Sequence, residues 1–278
     1  MKKIKEIIEI HTNENGDIIN LPVTFRYKKI TYNKYETKEF NNRLYIVAKD
    51  PVLKHNNNIY GSGYFLGDTI TPIDCKSCDL LFSLLKLYEK IRETKNVKPN
   101  KKNAEYIANW CKKYGLPFQG RLRDINREVI DDLYKKNELL GFSVEDFMSN
   151  LKALNKTFSA YLYVKGIDKN RENISGLSFE ECKEFLKSRF ERLEMFTQFD
   201  IEKLEFITVA NNLFQAAMYQ LMLLTTIKRD KDGAFKEIAI CRCCNMPFIQ
   251  NRRNQKYCSD CSPQKAYKRK ISVKKEVK

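Results

Sequence analysis

Four cysteines close to the C-terminal end carry the clearest chemistry in the chain. Cys241, Cys244, Cys258 and Cys261 are spaced C-x2-C-x13-C-x2-C. Each C-x2-C pair brings two thiolates onto one ion from a tight turn. Two such pairs complete a tetrahedral sphere, and this spacing is read as a zinc site. All four positions are then taken by sulfur and none is left for water, so the spacing predicts one structural zinc ion rather than a catalytic one. Cys243 lies inside the first pair. The C-x2-C spacing selects Cys241 with Cys244, and a shifted ligand choice that uses Cys243 stays open.

The segment that holds these cysteines is strongly basic. The chain has 278 residues and a net charge of +16. Residues 241–278 contain eleven Lys and Arg against two acids, Asp260 and Glu276, so +9 of the charge sits there. Lysine is abundant throughout, but elsewhere acids nearly balance it. The asymmetry points to a polyanionic partner. Arg252, Arg253, Lys256, Lys265, Lys268 and Arg269 are the candidate phosphate contacts. Such contacts position a protein on nucleic acid without specifying sequence. A solvated Lys-rich tail is the bland alternative.

Short elements must position these residues. Phe235–Ile240 reads as a strand entering the module. Cys241 and Cys244 fall on a knuckle, and Phe248-Ile249 with Lys256-Tyr257 predict a hairpin around the Asn251–Asn254 turn. Cys258 and Cys261 then open a last helix, with Ser262 as N-cap and Pro263 at its first position. Lys265, Lys268 and Arg269 share a face of that helix at i, i+3 and i+4. C-x2-C, Pro247-Phe248, Arg252-Arg253, Tyr257-Cys258-Ser259, Cys261 and a basic helix together resemble a treble-clef zinc finger. The pattern is similar to the CGNR-type finger of bacterial and phage-associated proteins read as transcription regulators. The resemblance spans about 35 residues and implies DNA binding beside a largely helical N-terminal region. Where that type has Gly-Asn-Arg after its last cysteine, this chain has Ser262-Pro263-Gln264.

The rest of the chain reads as an α+β scaffold in three parts. Residues 1–72 form a β-rich N-terminal segment, with runs such as Val23–Tyr27 and Arg43–Val47 broken by Asn, Gly and Pro. Residues 73–232 read as a mostly helical bundle, and 233–278 as the zinc-binding basic module. Leu80, Leu81, Leu84, Leu85 and Tyr88 recur at helical spacing from Asp79. A second helix spans Asn103–Tyr114, with Gly115 at its C-cap. Further helices are predicted at Asp124–Leu140 and Ser143–Val164. Ser178 with Glu181 forms a capping box, after which Phe179, Cys182, Leu186, Phe190 and Leu193 line one face. A last helix is predicted at about Ile201–Ile227, apolar almost all round from Phe206.

Other constellations carry less. Cys75-Lys76-Ser77-Cys78 is a second C-x-x-C without the βαβ setting of a redox pair. A second zinc site there would need Cys111, Cys182 or a histidine. Gly61–Gly67 lacks phosphate-loop spacing and reads as a bend between strands. His11 and His55 have no metal-ligand spacing, and no nucleophile–base pair or paired carboxylates stand out, so no catalytic residue is assigned. Basic runs at Lys98–Lys102 and Arg121–Arg127, with Phe118, could extend a nucleic-acid surface, but a solvated helix connection is the preferred reading. The start meets Glu6 and Glu9 before any apolar stretch forms, so no signal peptide is expected. No apolar run reaches membrane-spanning length. The reading is a cytoplasmic, non-enzymatic nucleic-acid binder, DNA ahead of RNA, in transcription regulation. Its helical region would sense a partner or ligand, or dimerise. The alternative is a protein-interaction adaptor, as in phage defence or stress response, whose zinc is purely structural.

Overall fold

The computed structural model describes residues 10–12, 18–20, 25–30, 32–51, 53–58, 61–66, 68–73, 79–94, 98–118, 141–167, 176–200, 205–210, 212–226, 238–250 and 254–261. The class is α+β, with small, mainly antiparallel sheets and five helices among the described residues. The chain divides into two compact units, Met1–Leu154 with Leu193–Gln220, and Asn155–Arg192 with Leu221–Lys278.

In the first unit, β1 (Ile10–Thr12) pairs with β2 (Ile18–Asn20). β3 (Phe25–Ile30), β4 (Tyr32–Phe40) and β5 (Arg43–Pro51) follow. β4 and β5 are an antiparallel hairpin closed by Asn41 and Asn42, at φ 48° and 60°. Two successive positive φ values are what a two-residue turn needs to match strand twist, and asparagine tolerates them. β6 (Leu53–Asn58) pairs with β7 (Gly61–Leu66), and β8 (Asp68–Ile73) pairs with β3. β9 (Gly141–Ser143) covers the other edge of β5. Tyr45, Ile46, Val47 and Ala48 of β5 are all buried, so both faces of that central strand are covered. A Cβ at Gly141 would collide with the Ile46 carbonyl oxygen, which keeps this position to glycine.

Two helices pack on this sheet. α1 (Asp79–Glu93) buries Leu80, Leu81, Leu84, Leu85, Leu87 and Ile91. α2 (Lys101–Tyr114) lies against α1, β4 and β5. The Asn103 N–H donates to the Asn100 side chain at 2.9 Å, and the Gly115 N–H, at φ 85°, donates back to Cys111 O at 2.7 Å. Both ends are therefore capped, the second on the glycine named from sequence. Trp110 Nε1 donates to Ser83 Oγ at 3.1 Å, tying α2 to α1.

α3 (Val144–Val164) begins where β9 ends, and its Phe147 is fully buried. The Phe147 ring meets Trp110 at 5.7 Å, Phe142 at 5.6 Å and Phe214 at 5.1 Å between centroids. Phe118 stacks on Phe214 at 5.6 Å. This aromatic cluster joins residues far apart in sequence.

The segment expected to be one helix from Ile201 to Ile227 is not one. β10 (Met195–Asp200) and β11 (Glu205–Ala210) form an antiparallel pair, and β11 runs parallel to β3. Only α5 (Leu213–Thr226) is helical there. An all-apolar run does not separate a buried strand from a buried helix by period. Phe206-Ile207-Thr208-Val209 is aromatic and β-branched, which favours the strand. Asn212 then accepts from the Gln215 N–H at 2.9 Å and starts the helix. The Leu81 N–H donates to the buried Gln220 Oε1 at 2.9 Å, satisfying an amide in the first turn of α1.

In the second unit, α4 (Phe179–Glu191) opens with the expected capping box. The Ser178 N–H donates to Glu181 Oε2 at 2.7 Å, and the Glu181 N–H to Ser178 Oγ at 3.3 Å. Cys182 and Leu186 are buried, but Phe179, expected on the same apolar face, is 43% exposed. It sits at the first turn, with the Lys183 ammonium 4.5 Å from its ring centroid. The expected helix at Asp124–Leu140 and the Arg121–Arg127 run lie outside the described residues. No helix among the described residues is long and apolar enough to cross a membrane.

Phe147→Ala should lower unfolding stability by about 3–5 kcal/mol, because it empties the centre of the aromatic cluster. Phe179→Ala should change it by less than about 1 kcal/mol, since that ring is already half in water. Urea unfolding followed by far-ultraviolet circular dichroism reads both.

Candidate metal centre

Both cysteine pairs are placed by short hydrogen-bonded stretches of backbone. β12 (Ile238–Ile240) pairs antiparallel with β13 (Pro247–Ile249), and residues 241–246 form the loop between them. The Cys241 N–H donates to Met246 O at 2.8 Å, and the Asn245 N–H donates to Cys241 O at 2.8 Å. Asn245 sits at φ 57°, which lets the loop close back onto β13. The hairpin expected between Phe248-Ile249 and Lys256-Tyr257 is thus replaced by one between β13 and β12. The reason is the tightness of the cysteine loop, which returns the chain directly onto the strand before it. Lys256 instead accepts the Arg242 N–H on its carbonyl at 3.0 Å.

The second pair is carried by a non-regular segment that its own side chains hold. Asn254 turns the chain at φ 70°. Gln250 Nε2 donates to Gln255 O at 2.9 Å, and Gln255 Nε2 donates to Tyr257 O at 2.9 Å. The Cys258 N–H then donates to Cys241 Sγ at 3.4 Å, joining the pairs, and the Cys261 N–H closes a turn on Cys258 O at 3.1 Å.

The four sulfurs named from sequence come together. The Sγ atoms of Cys241, Cys244, Cys258 and Cys261 all lie within 4.8 Å of one another. Cys244 Sγ and Cys258 Sγ are 3.7 Å apart. A tetrahedral ion with Zn–S of about 2.3 Å separates its sulfurs by about 3.8 Å, so the spacing suits zinc. Cys241 and Cys261 are buried with Phe248, while Ala239, Cys243, Cys244, Tyr257 and Cys258 pack around them.

The electrostatics also suit a cation. Burial pushes the Cys241 thiol up, but N–H donors from Cys244, Cys258 and Cys243, with the Cys244 thiol, outweigh it and hold Cys241 at about 6. Burial pushes Cys244 up to about 11, against an N–H from Met246. Burial and the crowding of Cys243, Cys244 and Cys258 push Cys261 up as well. One sulfur is stabilised as a thiolate by the backbone, and its neighbours resist sharing the charge. A divalent cation removes that resistance, so these residues can hold a zinc ion.

The other predicted residues fall differently. Lys256 is exposed, and so is Arg242, which the shared backbone bond sets beside it. Arg242 counted toward the charge of the segment but not toward the contact set. Its C-x2-C position, on the outer side of the knuckle, was the available signal. Arg252, Arg253, Lys265, Lys268, Arg269 and the Ser262-Pro263 helix start lie outside the described residues. So do Cys75 and Cys78. Cys111 and Cys182 are buried thiols on α2 and α4. Among the described residues the four-cysteine group is the one cluster fit for a metal.

No family model matches the chain, and neither a curated protein nor a solved structure does. The likeness to a treble-clef finger accordingly rests on the residues of the module themselves.

Protein purified without chelator should contain about one zinc per chain by elemental analysis. Cys258→Ser should lose it and leave the C-terminal segment open to proteases, since so small a core does not hold without its ion. The far-ultraviolet helical signal should persist, because α1 to α5 bury apolar faces of their own. A metal-free protein with a protease-resistant C-terminal segment would overturn this reading.

Proposed function

We propose that the chain is a nucleic-acid-binding protein, DNA ahead of RNA, that acts in transcription regulation in the cytoplasm by binding rather than by catalysis. A zinc ion on Cys241, Cys244, Cys258 and Cys261 is its structural centre. The observation that carries this reading is the juxtaposition of that centre with charge. The four-thiol cluster lies within a 38-residue segment of net charge +9 and keeps Arg242 and Lys256 exposed at its rim. Four sulfur ligands leave no site for substrate or water on the ion, which favours a scaffold role.

The ion would fix the directions in which the chain leaves Cys261, and so the face formed by Lys265, Lys268 and Arg269. Arg252, Arg253 and Lys256 would add contacts from the turn before Cys258. Contacts of this kind neutralise phosphates and release counterions, so affinity falls steeply with salt. The first part of the chain supplies the surfaces through which a partner, a ligand or a second copy would control binding.

Changing Lys265, Lys268 and Arg269 together to Glu should weaken binding to duplex DNA of any sequence. The slope of log affinity against log salt should become shallower by about 3, one for each lost phosphate contact. Zinc content should be unchanged. Equal binding by parent and variant at every salt concentration would remove this face from consideration. No binding by the parent at low salt would favour the adaptor instead.

A further inference from the structure

Two exposed cations stand on neighbouring backbone of the cysteine module. Arg242 lies inside the first cysteine pair, and Lys256 precedes the second. They are distant in sequence, yet the Arg242 N–H donates to the Lys256 carbonyl at 3.0 Å. Both side chains are exposed, and neither has an ion-pair or hydrogen-bond partner among the described residues. Like charges held side by side repel, and an anion placed between them reverses that repulsion. The backbone beneath them is fixed. The Cys241 N–H to Met246 O and Asn245 N–H to Cys241 O bonds, both 2.8 Å, close the loop that carries Arg242. The Gln250 and Gln255 side chains, donating to Gln255 O and Tyr257 O at 2.9 Å, brace the stretch that carries Lys256. The Cys258 N–H, 3.4 Å from Cys241 Sγ, ties the two stretches together. A ligand that meets both cations therefore has little backbone to order.

We propose that Arg242 and Lys256 form a two-cation clamp on a single phosphodiester of nucleic acid. The inference rests on the nucleic-acid reading above and adds a contact, Arg242, that spacing did not single out. A phosphodiester carries one negative charge on two unesterified oxygens. The Arg242 guanidinium presents a planar fork to those oxygens, and the Lys256 ammonium adds a compact charge from the adjacent position. Such a contact positions the nucleic acid on the module and reads no base. Flanking cations can also serve the cluster itself, because four thiolates around one divalent ion leave it negative. The two roles differ in what the loss of the cations changes.

Zinc-loaded full-length protein is titrated with short duplex DNA over a range of salt, as the parent, Arg242→Gln, Lys256→Gln and the double variant. Each single substitution should weaken binding several-fold at low salt. The second should cost less once the first is made, since both remove the same contact. The slope of log affinity against log salt should become shallower by about 0.9 in the double variant, the value for one phosphate. Lys112→Gln with Lys152→Gln, exposed positions on α2 and α3, removes the same charge and should leave the slope unchanged. Additive losses with a slope change of twice that, about 1.8, would give each cation its own phosphate and overturn the clamp. Variants that bind the duplex as the parent does would also overturn it, and weaker zinc uptake by them would assign both cations to the cluster. These results leave the nucleic-acid reading standing. A parent that binds no duplex at low salt would overturn both.

Discussion

Sulfur crowding is the constraint on which the C-terminal module depends. Four thiols within 4.8 Å of one another have no reason to meet as small apolar side chains in a polar, basic segment. The backbone turns a donor on them: the Cys258 N–H donates to Cys241 Sγ at 3.4 Å, and N–H groups of Cys244 and Cys243 help to hold that thiol low. Hydrogen bonds of this kind stabilise a charged sulfur more than a neutral one. The chain has therefore arranged its amides for a thiolate, and thiolates this close together need a cation among them. The short hairpin, the positive-φ asparagines and the glutamine-braced turn all follow from delivering sulfur to one point.

The first unit is held by different physics. Its centre is Phe147, in ring contact with Trp110, Phe142 and Phe214, on elements that the chain reaches at widely separated positions. Two buried polar side chains there have hydrogen-bond partners. Gln220 is buried because it satisfies an amide of α1, and the Asn103 side chain because it donates to Lys98 O at 3.2 Å. Tyr35, buried on β4 near Cys111, has its hydroxyl pushed well above its ordinary range by desolvation, so it stays neutral.

Much of this was legible in the residues because it depended on local spacing. Each C-x2-C pair, the Gly115 cap of the Asn103–Tyr114 helix and the Ser178–Glu181 capping box involve residues within a turn or two of one another. Local geometry allows few alternatives at such distances. Apolar pattern was a weaker guide. Phe206 to Val209 is apolar enough for a buried helix or a buried strand, and its pairing with β10 and β3 decided between them. Phe179 fits the apolar face of α4 by period, yet it lies at the helix's exposed first turn.

What the sequence determined by itself was which atoms could bind: the four sulfurs, their spacing and the +9 charge around them. Ligand number and type follow from composition and spacing alone. The tertiary structure decided which strand answers β13 and that Arg242 stands beside Lys256. These are pairings between residues whose separation along the chain says nothing about their distance in space. They depend on how tightly the loop from Cys241 to Met246 turns, and that is set by backbone hydrogen bonds which no residue in the loop specifies on its own.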